Sequence, residues 1–457
     1  MSFDFGGGFS GIPPVVIGGE MGSKVIPTCR SLTAKFAPNK AQLRTWPLAS
    51  FPVVQLSGMP TECITNPLQR ELADSIIRMV PLDEIRILLA CGAKVNEPVT
   101  QGLRPLHYAV WQRYYEAAQL LLTRGGDVNA VDECGYSPLH LSAEHGYTEV
   151  VRLLLLSGAK VNYRPNTDED FPRTTQCDEP LRLAIRNKHM DIARMLLEHG
   201  ADPNKRYFFG AEINLVTDLE FLELLLTFGA NPDSRDRSGL TPLMKAVRQP
   251  QGMEAALILL KYALSIQGAN VNCSSPIIGS PLHVACADNI PNRYDILQML
   301  LKAGADPNLK VYNDLYDHNS QLRPVLVEYV ASNTNPSLAV VNLLIRYGAK
   351  VVMKTQFRDP DGILNSLQNV ISAKCDSIFF LLLEASESFD VCMIRRNSVI
   401  TPEQKATLLE LAKYPLSLRR QVRVFLRRLL GGNKLIDSVP SFELPKCLEK
   451  YLLFDYS

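Results

Sequence analysis

The chain has 457 residues, with 48 Lys and Arg against 47 Asp and Glu, so its formal charge is only +1. That balance gives no global field to attract nucleic acid or an anionic membrane surface, and no stretch has the ~20 apolar residues of a bilayer-crossing helix. Ten cysteines are scattered from Cys29 to Cys447 without a Cys-x-x-Cys pair or zinc-like spacing. They offer no metal framework and fit free thiols in a cytoplasmic or also nuclear protein.

Residues 1–60 differ from the rest. FDFGGGFSGIPPVVIGGEMG is Gly-rich and aperiodic, and prolines recur at Pro27, Pro38, Pro47, Pro52 and Pro60. A disordered or loosely packed arm is expected. Gly22-Ser23-Lys24 reverses the order of a phosphate loop and lacks a preceding strand. Ser2 removes the N-myristoyl acceptor, and Gly6 to Gly8 with Pro13-Pro14 break any signal-like apolar run.

Helical periodicity starts near Leu68, in a charged unit that ends GAKVN and suits an end cap. Two model units follow, thirty-three residues apart: LRPLHYAVWQRYYEAAQLLLTRGGDVN and YSPLHLSAEHGYTEVVRLLLLSGAKVN. Pro105 and Pro138 suit the first position of a short helix. Leu106, Ala109 and Val110 share one face of it. A second helix turns Ala118, Leu121 and Leu122 inward, and Gly125 ends it. One such pair cannot bury its own apolar faces, so neighbours must stack into a continuous core.

The pattern PLHxA, then LLL, then GAxVN resembles the ankyrin repeat. The resemblance implies an all-α solenoid of helix-turn-helix units with hairpin loops. Residues 163–177 insert YRPNTDEDFPRTTQC, read either as a solvated loop or as a partner-specific extension. After another regular unit, KRYFFGAEINLVTDLEFLELLLTFGANPD shortens its first helix. Lys205, Arg206, Tyr207, Phe208 and Phe209 form a basic-aromatic knot there, and the two phenylalanines are expected to pack under the loop, with ligand binding as the alternative. The next unit appends four residues, Leu264 to Gln267, within its turn. Divergent units then run to about 385, giving seven to nine in 65–385. Residues 386–416 read as a helical connection.

The segment 417–455 has its own logic. Leu418, Val422, Leu426 and Leu429 recur at helical spacing, Arg419, Arg420, Arg423, Arg427 and Arg428 crowd the remaining face, and Gly431-Gly432 ends the helix. A turn bounded by Pro440 and Pro445 leads to a short amphipathic helix. This tail resembles a SOCS box, and with the array it resembles the ankyrin repeat and SOCS box family. The resemblance implies that Leu418, Val422 and Leu426 bind Elongin B/C, with Val422 replacing the family's Cys by another small apolar group. It also implies that Phe442, Glu443, Leu444 and Pro445 form the segment that selects cullin-5 and its RING partner. Glu443 stands where the family has Pro, which removes a fixed φ and adds charge. A plain helical cap is the alternative reading of this tail.

No catalytic constellation is visible, and neither an enzyme nor a cofactor or metal is expected. His107, His140 and His283 each follow Pro-Leu and are expected to order the turn. Function then falls to exposed side chains that hold an unidentified protein target. The ankyrin resemblance places Trp111, Gln112, Glu144, His145, Arg186, Asn187, Arg248, Gln249, Ala287 and Asp288 on the concave face. It places Gln101, Leu103, Glu133, Tyr136, Arg237 and Leu240 at hairpin tips. Trp111 is either an interface anchor or packing between units. The expected function is a substrate-recognition adaptor of an Elongin B/C-cullin-RING ubiquitin ligase. The rival is a non-catalytic tethering scaffold that binds Elongin without ubiquitylation; nucleic-acid binding by the arginine helix has little support.

Overall fold

The computed structural model describes residues 66–455, apart from 164–177, 250–251, 263–268, 276, 288–289, 291, 311–321, 356–358, 360, 369, 371–375 and 399. The arm at 1–60, the acidic insertion at Asp168 to Asp170, the appended residues Leu264 to Gln267 and the concave candidate Asp288 lie outside the described residues. The helix pairs are α1 (Pro67–Ile77) with α2 (Leu82–Ala90), α3 (Pro105–Trp111) with α4 (Tyr115–Thr123), and α5 (Pro138–His145) with α6 (Thr148–Leu156). They continue as α7 (Pro180–Arg186) with α8 (Met190–Glu198), then a hairpin of β1 (Arg206–Tyr207) and β2 (Gly210–Ala211), a 3-10 turn and α9 (Leu219–Thr227). Next come α10 (Pro242–Arg248) with α11 (Met253–Tyr262), α12 (Pro281–Cys286) with α13 (Arg293–Lys302), and α14 (Val325–Ser332) with α15 (Leu338–Arg346). The architecture is an all-α solenoid, as the periodicity predicts.

Each recurring residue type has a local cause. His107 Nδ1 accepts from the Arg104 N–H at 3.2 Å, and its Nε2 donates to the Tyr136 carbonyl of the next unit at 3.2 Å. His283 repeats this with Ser280 N–H at 3.2 Å and the Arg323 carbonyl at 3.0 Å. One imidazole therefore closes its own helix cap and ties it to the neighbouring hairpin, which needs a neutral ring. Burial holds His107 down to about 4 and His140 to about 3. The Asn that ends each unit is a second tie. Asn129 Oδ1 accepts from Lys160 N–H at 2.7 Å while Nδ2 donates to the Gly158 carbonyl at 3.4 Å. Asn96, Asn162, Asn272 and Asn308 make the same pair of bonds one unit on. Gly146, at φ +78°, ends α5 where any Cβ would lie 2.5 Å from the His189 ring.

These ties hold one continuous apolar core, from Leu72 and Ile76 in α1 through Leu106, Leu139, Leu196, Leu243, Leu282 and Leu344 to Phe379 and Leu382. Two short sheets interrupt the helices. β1 and β2 pair antiparallel, Arg206 with Ala211 and Tyr207 with Gly210. β3 (Val351–Met353) pairs parallel with β4 (Ser386–Phe389), which follows the outer helix α16 (Asp376–Ala385). The buried β-branched pair Val351-Val352 suits that strand. Beyond it come α17 (Val391–Arg396), α18 (Pro402–Lys413), α19 (Leu418–Leu430), α20 (Gly432–Ser438) and α21 (Lys446–Leu453).

Two expectations are corrected. Phe208 and Phe209 do not pack under a loop. They form the two-residue turn between β1 and β2, and are 38% and 60% exposed. Leu240 is no surface tip residue: it is buried. Its N–H donates to Asp236 Oδ1 at 2.9 Å and its carbonyl accepts from Asp236 N–H at 3.0 Å. Closing the hairpin in this way turns the side chain into the core.

Candidate functional site

Helix α19 is amphipathic in an unusual sense. Its apolar stripe faces outward, with Leu418 76%, Val422 45%, Phe425 61% and Leu429 65% exposed. These residues follow i, i+4, i+7, i+11, which is a single helix face. Ser417 caps the helix by accepting from the Arg420 N–H at 3.4 Å. The opposite face, with Arg423 and Arg427, is the one turned toward the protein. Arg423 is buried, with its guanidinium over the rings of Phe454 at 3.9 Å and Tyr451 at 4.2 Å. It donates to the Glu384 carbonyl at 2.7 Å and to the Tyr451 carbonyl at 3.3 Å. Arg427 donates to the Ile345 carbonyl at the end of α15, and Arg428 pairs with Glu387 in β4 at 2.6 Å. Desolvation, reinforced by Arg423, pulls Arg427 down to about 10, so it stays cationic at neutral pH. Planar guanidinium groups tolerate this burial because they stack on aromatic faces while their N–H groups reach carbonyls.

The three expected Elongin contacts are therefore split. Leu418 and Val422 share the open stripe, whereas Leu426 is half-buried against the small cluster of Leu435, Val439 and Leu452. Phe425 and Leu429 join the stripe instead. Their helical spacing from Leu418 was the available signal; the face they present was not in the sequence. Burying each of four such side chains is worth on the order of 1.5–3 kcal/mol, so leaving them all exposed is a large forgone stabilisation.

The second expected segment lies in the turn before α21. Phe442 is 40% exposed, Leu444 packs on the small cluster, and Pro445 caps α21. Glu443 adopts φ +50°, ψ +36°, in the left-handed region. Proline, locked near φ −65°, cannot occupy that conformation. The departure at this position is thus one of backbone as well as side chain.

On the array, the row expected on the concave face is contiguous over three units. Trp111 is half-buried against the core and meets the His145 ring at 5.3 Å, so it packs between units and still offers an open edge. Arg186 lies 3.7 Å from Glu144 and 3.0 Å from Asp178. His145, Arg186, Asn187, Arg248, Gln249 and Ala287 are exposed, and Gln112 and Glu144 are half-buried. At the tips, Gln101, Glu133 and Arg237 are exposed, and Leu103 and Tyr136 are half-buried. Among the described residues, no group of His, Cys, Asp and Glu is arranged to hold a metal ion. No helix among them is long and apolar enough to cross a membrane.

Comparison with known proteins places these two parts. Residues 122–207 and 212–311 match the model of ankyrin repeats (3 copies), and 88–141 match that of ankyrin repeats (many copies). Residues 414–453 match the SOCS box. The chain is 23% identical to ankyrin repeat and SOCS box protein 6 of Homo sapiens over 308 residues, covering 61% of this chain and 73% of that protein. The Mus musculus protein of that name is 24% identical over 311 residues, covering 61% and 74%. A Fowlpox virus (strain NVSL) ankyrin repeat protein is 29% identical over 153 residues, covering 32% of this chain and 73% of its own length. Repeats with histidine-tied hairpins, followed by a SOCS box docked on their last helices, make this chain a member of the ankyrin repeat and SOCS box family.

Proposed function

We propose that the chain is a non-catalytic substrate adaptor of an Elongin B/C-cullin-RING ubiquitin ligase. The observation that carries this reading is the outward stripe Leu418, Val422, Phe425 and Leu429, held clear of the array by the arginines behind it. Such a face fits a groove on a partner, with one residue per turn as anchor. The concave row from Trp111 to Arg186 then holds the target, and catalysis consists of bringing a target lysine near a recruited ubiquitin-charged enzyme. Co-purification of the full chain with Elongin B and C tests the first half. Leu418→Asp and Phe425→Asp should each abolish recovery while the array melts unchanged. Wild-type chain that brings down no Elongin sinks the reading.

One observation favours a second reading, a tethering scaffold that binds Elongin without a cullin. Glu443 replaces the family's Pro in a left-handed conformation that Pro cannot adopt. Ubiquitylation by a purified cullin-5 module, with the chain's own lysines or a bound target as acceptor, separates the two. Elongin recovery without any ubiquitin transfer selects the scaffold.

A further inference from the structure

The β1–β2 hairpin forms the tip of a unit whose first helix is reduced to the 3-10 turn Glu212–Asn214, and both residues of its turn are phenylalanine. Turn chemistry favours Asn, Gly and Asp at such positions, so local geometry does not explain them. Nor does the core, since both rings are substantially exposed. They stand edge to face at 4.9 Å, and the Arg237 guanidinium from the next tip lies 4.3 Å over Phe208.

The hairpin is built rigidly. Tyr207 is buried beneath the Arg182 guanidinium at 4.0 Å, and Gly210 sits against the Asp236 backbone, where a Cβ would approach to 3.2 Å. The tips are continuous: Arg235 donates to the Ser274 carbonyl at 2.7 Å, and Gly239 sits on Ser275. The third tip then presents Ile277, which is 79% exposed. Among the described residues of these three tips, the exposed charges are Arg206 and Arg237. The neighbouring acids are engaged internally: Asp236 with Lys245 at 2.7 Å, Asp233 accepting from Asn270 N–H at 2.8 Å, and Glu212 beside Arg182.

We propose that these three successive tips, Phe208-Phe209, Arg237 and Ile277, form a docking edge for an extended acidic peptide with apolar residues beside its carboxylates. Aromatic and aliphatic contacts would take the apolar side chains, and Arg237 the carboxylates, which is the usual division between anchors and charge complementarity. The proposal rests on the array being a target-binding arm, and not on the tail binding Elongin.

Selection of a random 12-residue peptide display library on the full-length chain tests it. Enriched sequences should carry Asp or Glu flanked by apolar residues. A synthetic winner should bind Phe209→Ala about tenfold more weakly, bind Arg237→Glu more weakly still, and bind Leu156→Ala, on the exposed side of α6, unchanged. Repeating the selection on Arg237→Glu should remove the acidic preference. Thermal unfolding of each variant, with Phe209→Ser as a second truncation, guards against a folding defect. Failure to enrich any peptide, or winners without acids, overturns the proposal. So does binding that Trp111→Ala removes and Phe209→Ala leaves intact, since that would place the peptide in the concave groove.

Discussion

Arg423 in α19 donates to the backbone carbonyl of Glu384, the penultimate residue of α16, at 2.7 Å. A guanidinium from the SOCS box thus satisfies a carbonyl at the end of the last outer helix, where no intrahelical donor remains. Arg427 repeats the device on Ile345, one unit earlier. The box is thus tied to the ends of two successive outer helices, α15 and α16.

Replacing Arg423 by Met should therefore loosen the tail without unfolding the array. Met keeps volume but removes the guanidinium donors that reach the Glu384 and Tyr451 carbonyls. Losing the hydrogen bonds and the stacking costs about 2–4 kcal/mol in local docking. Hydrogen exchange should speed up across 418–453 and stay unchanged in α3 to α8. Unchanged protection of α19 in the variant would show that the arginine does not hold it.

Where the sequence was legible, one residue served one local purpose at a fixed interval. Pro105, His107 and Asn129 recur because every unit needs a helix start, a cap tie and a bridge to its neighbour. The amphipathicity of α19 was equally visible, but not its direction. Apolar faces usually turn inward, and residues distant in sequence, Phe454, Tyr451, Glu384, Ile345 and Glu387, reverse that by receiving the arginines. The Phe208-Phe209 turn was hidden for the opposite reason. Two adjacent phenylalanines read as core until a hairpin places both beyond it. Leu240 shows the limit of position alone, since a tip residue points inward when Asp236 closes the turn on both its backbone groups.

Glu443 offers a backbone test. A non-glycine residue at φ +50° carries about 1–2 kcal/mol of strain, partly offset in a Gly variant by the greater freedom of its unfolded chain. Glu443→Gly should leave the tail equally or slightly more stable, by about 0.5 kcal/mol. Glu443→Pro should destabilise it by about 3 kcal/mol because the ring forbids that φ. Proteolytic susceptibility of 431–455 reports both. A Pro variant as resistant as wild type would mean that the turn can rearrange to the family geometry.

The buried histidines predict acid sensitivity. His107 is held to about 4 and His140 to about 3, against 6.5 for a free imidazole, chiefly by burial. Below pH 6.5 the unfolded chain binds protons that the folded one refuses, so stability falls as pH drops from about 6.5 toward 4. At the limit His107 accounts for about 3 kcal/mol and His140 for about 5 kcal/mol. His140→Gln should lose stability at pH 7.5 but show a shallower decline in Tm between pH 6.5 and 4.5. A wild-type Tm that is flat over that window contradicts neutral burial.

Glu212 acts with the opposite sign. Its carboxyl is buried beside Arg182, with Nη1 to Oε2 at 3.8 Å, and burial outweighs that cation to raise it from 4.5 to about 7. A carboxyl whose folded value is raised contributes fully below 4.5, and its contribution is lost as pH rises through 7. Glu212→Gln keeps the shape of the protonated group and cannot ionise. The Tm of the variant minus that of wild type should therefore grow between pH 5 and pH 8, by about 2 °C or more. Because the histidines titrate almost fully below pH 6.5, their contribution to the upper half of this window is small and common to both proteins. A difference that shrinks as pH rises would mean that Arg182, not desolvation, governs the carboxyl and that the hairpin is held by a true ion pair.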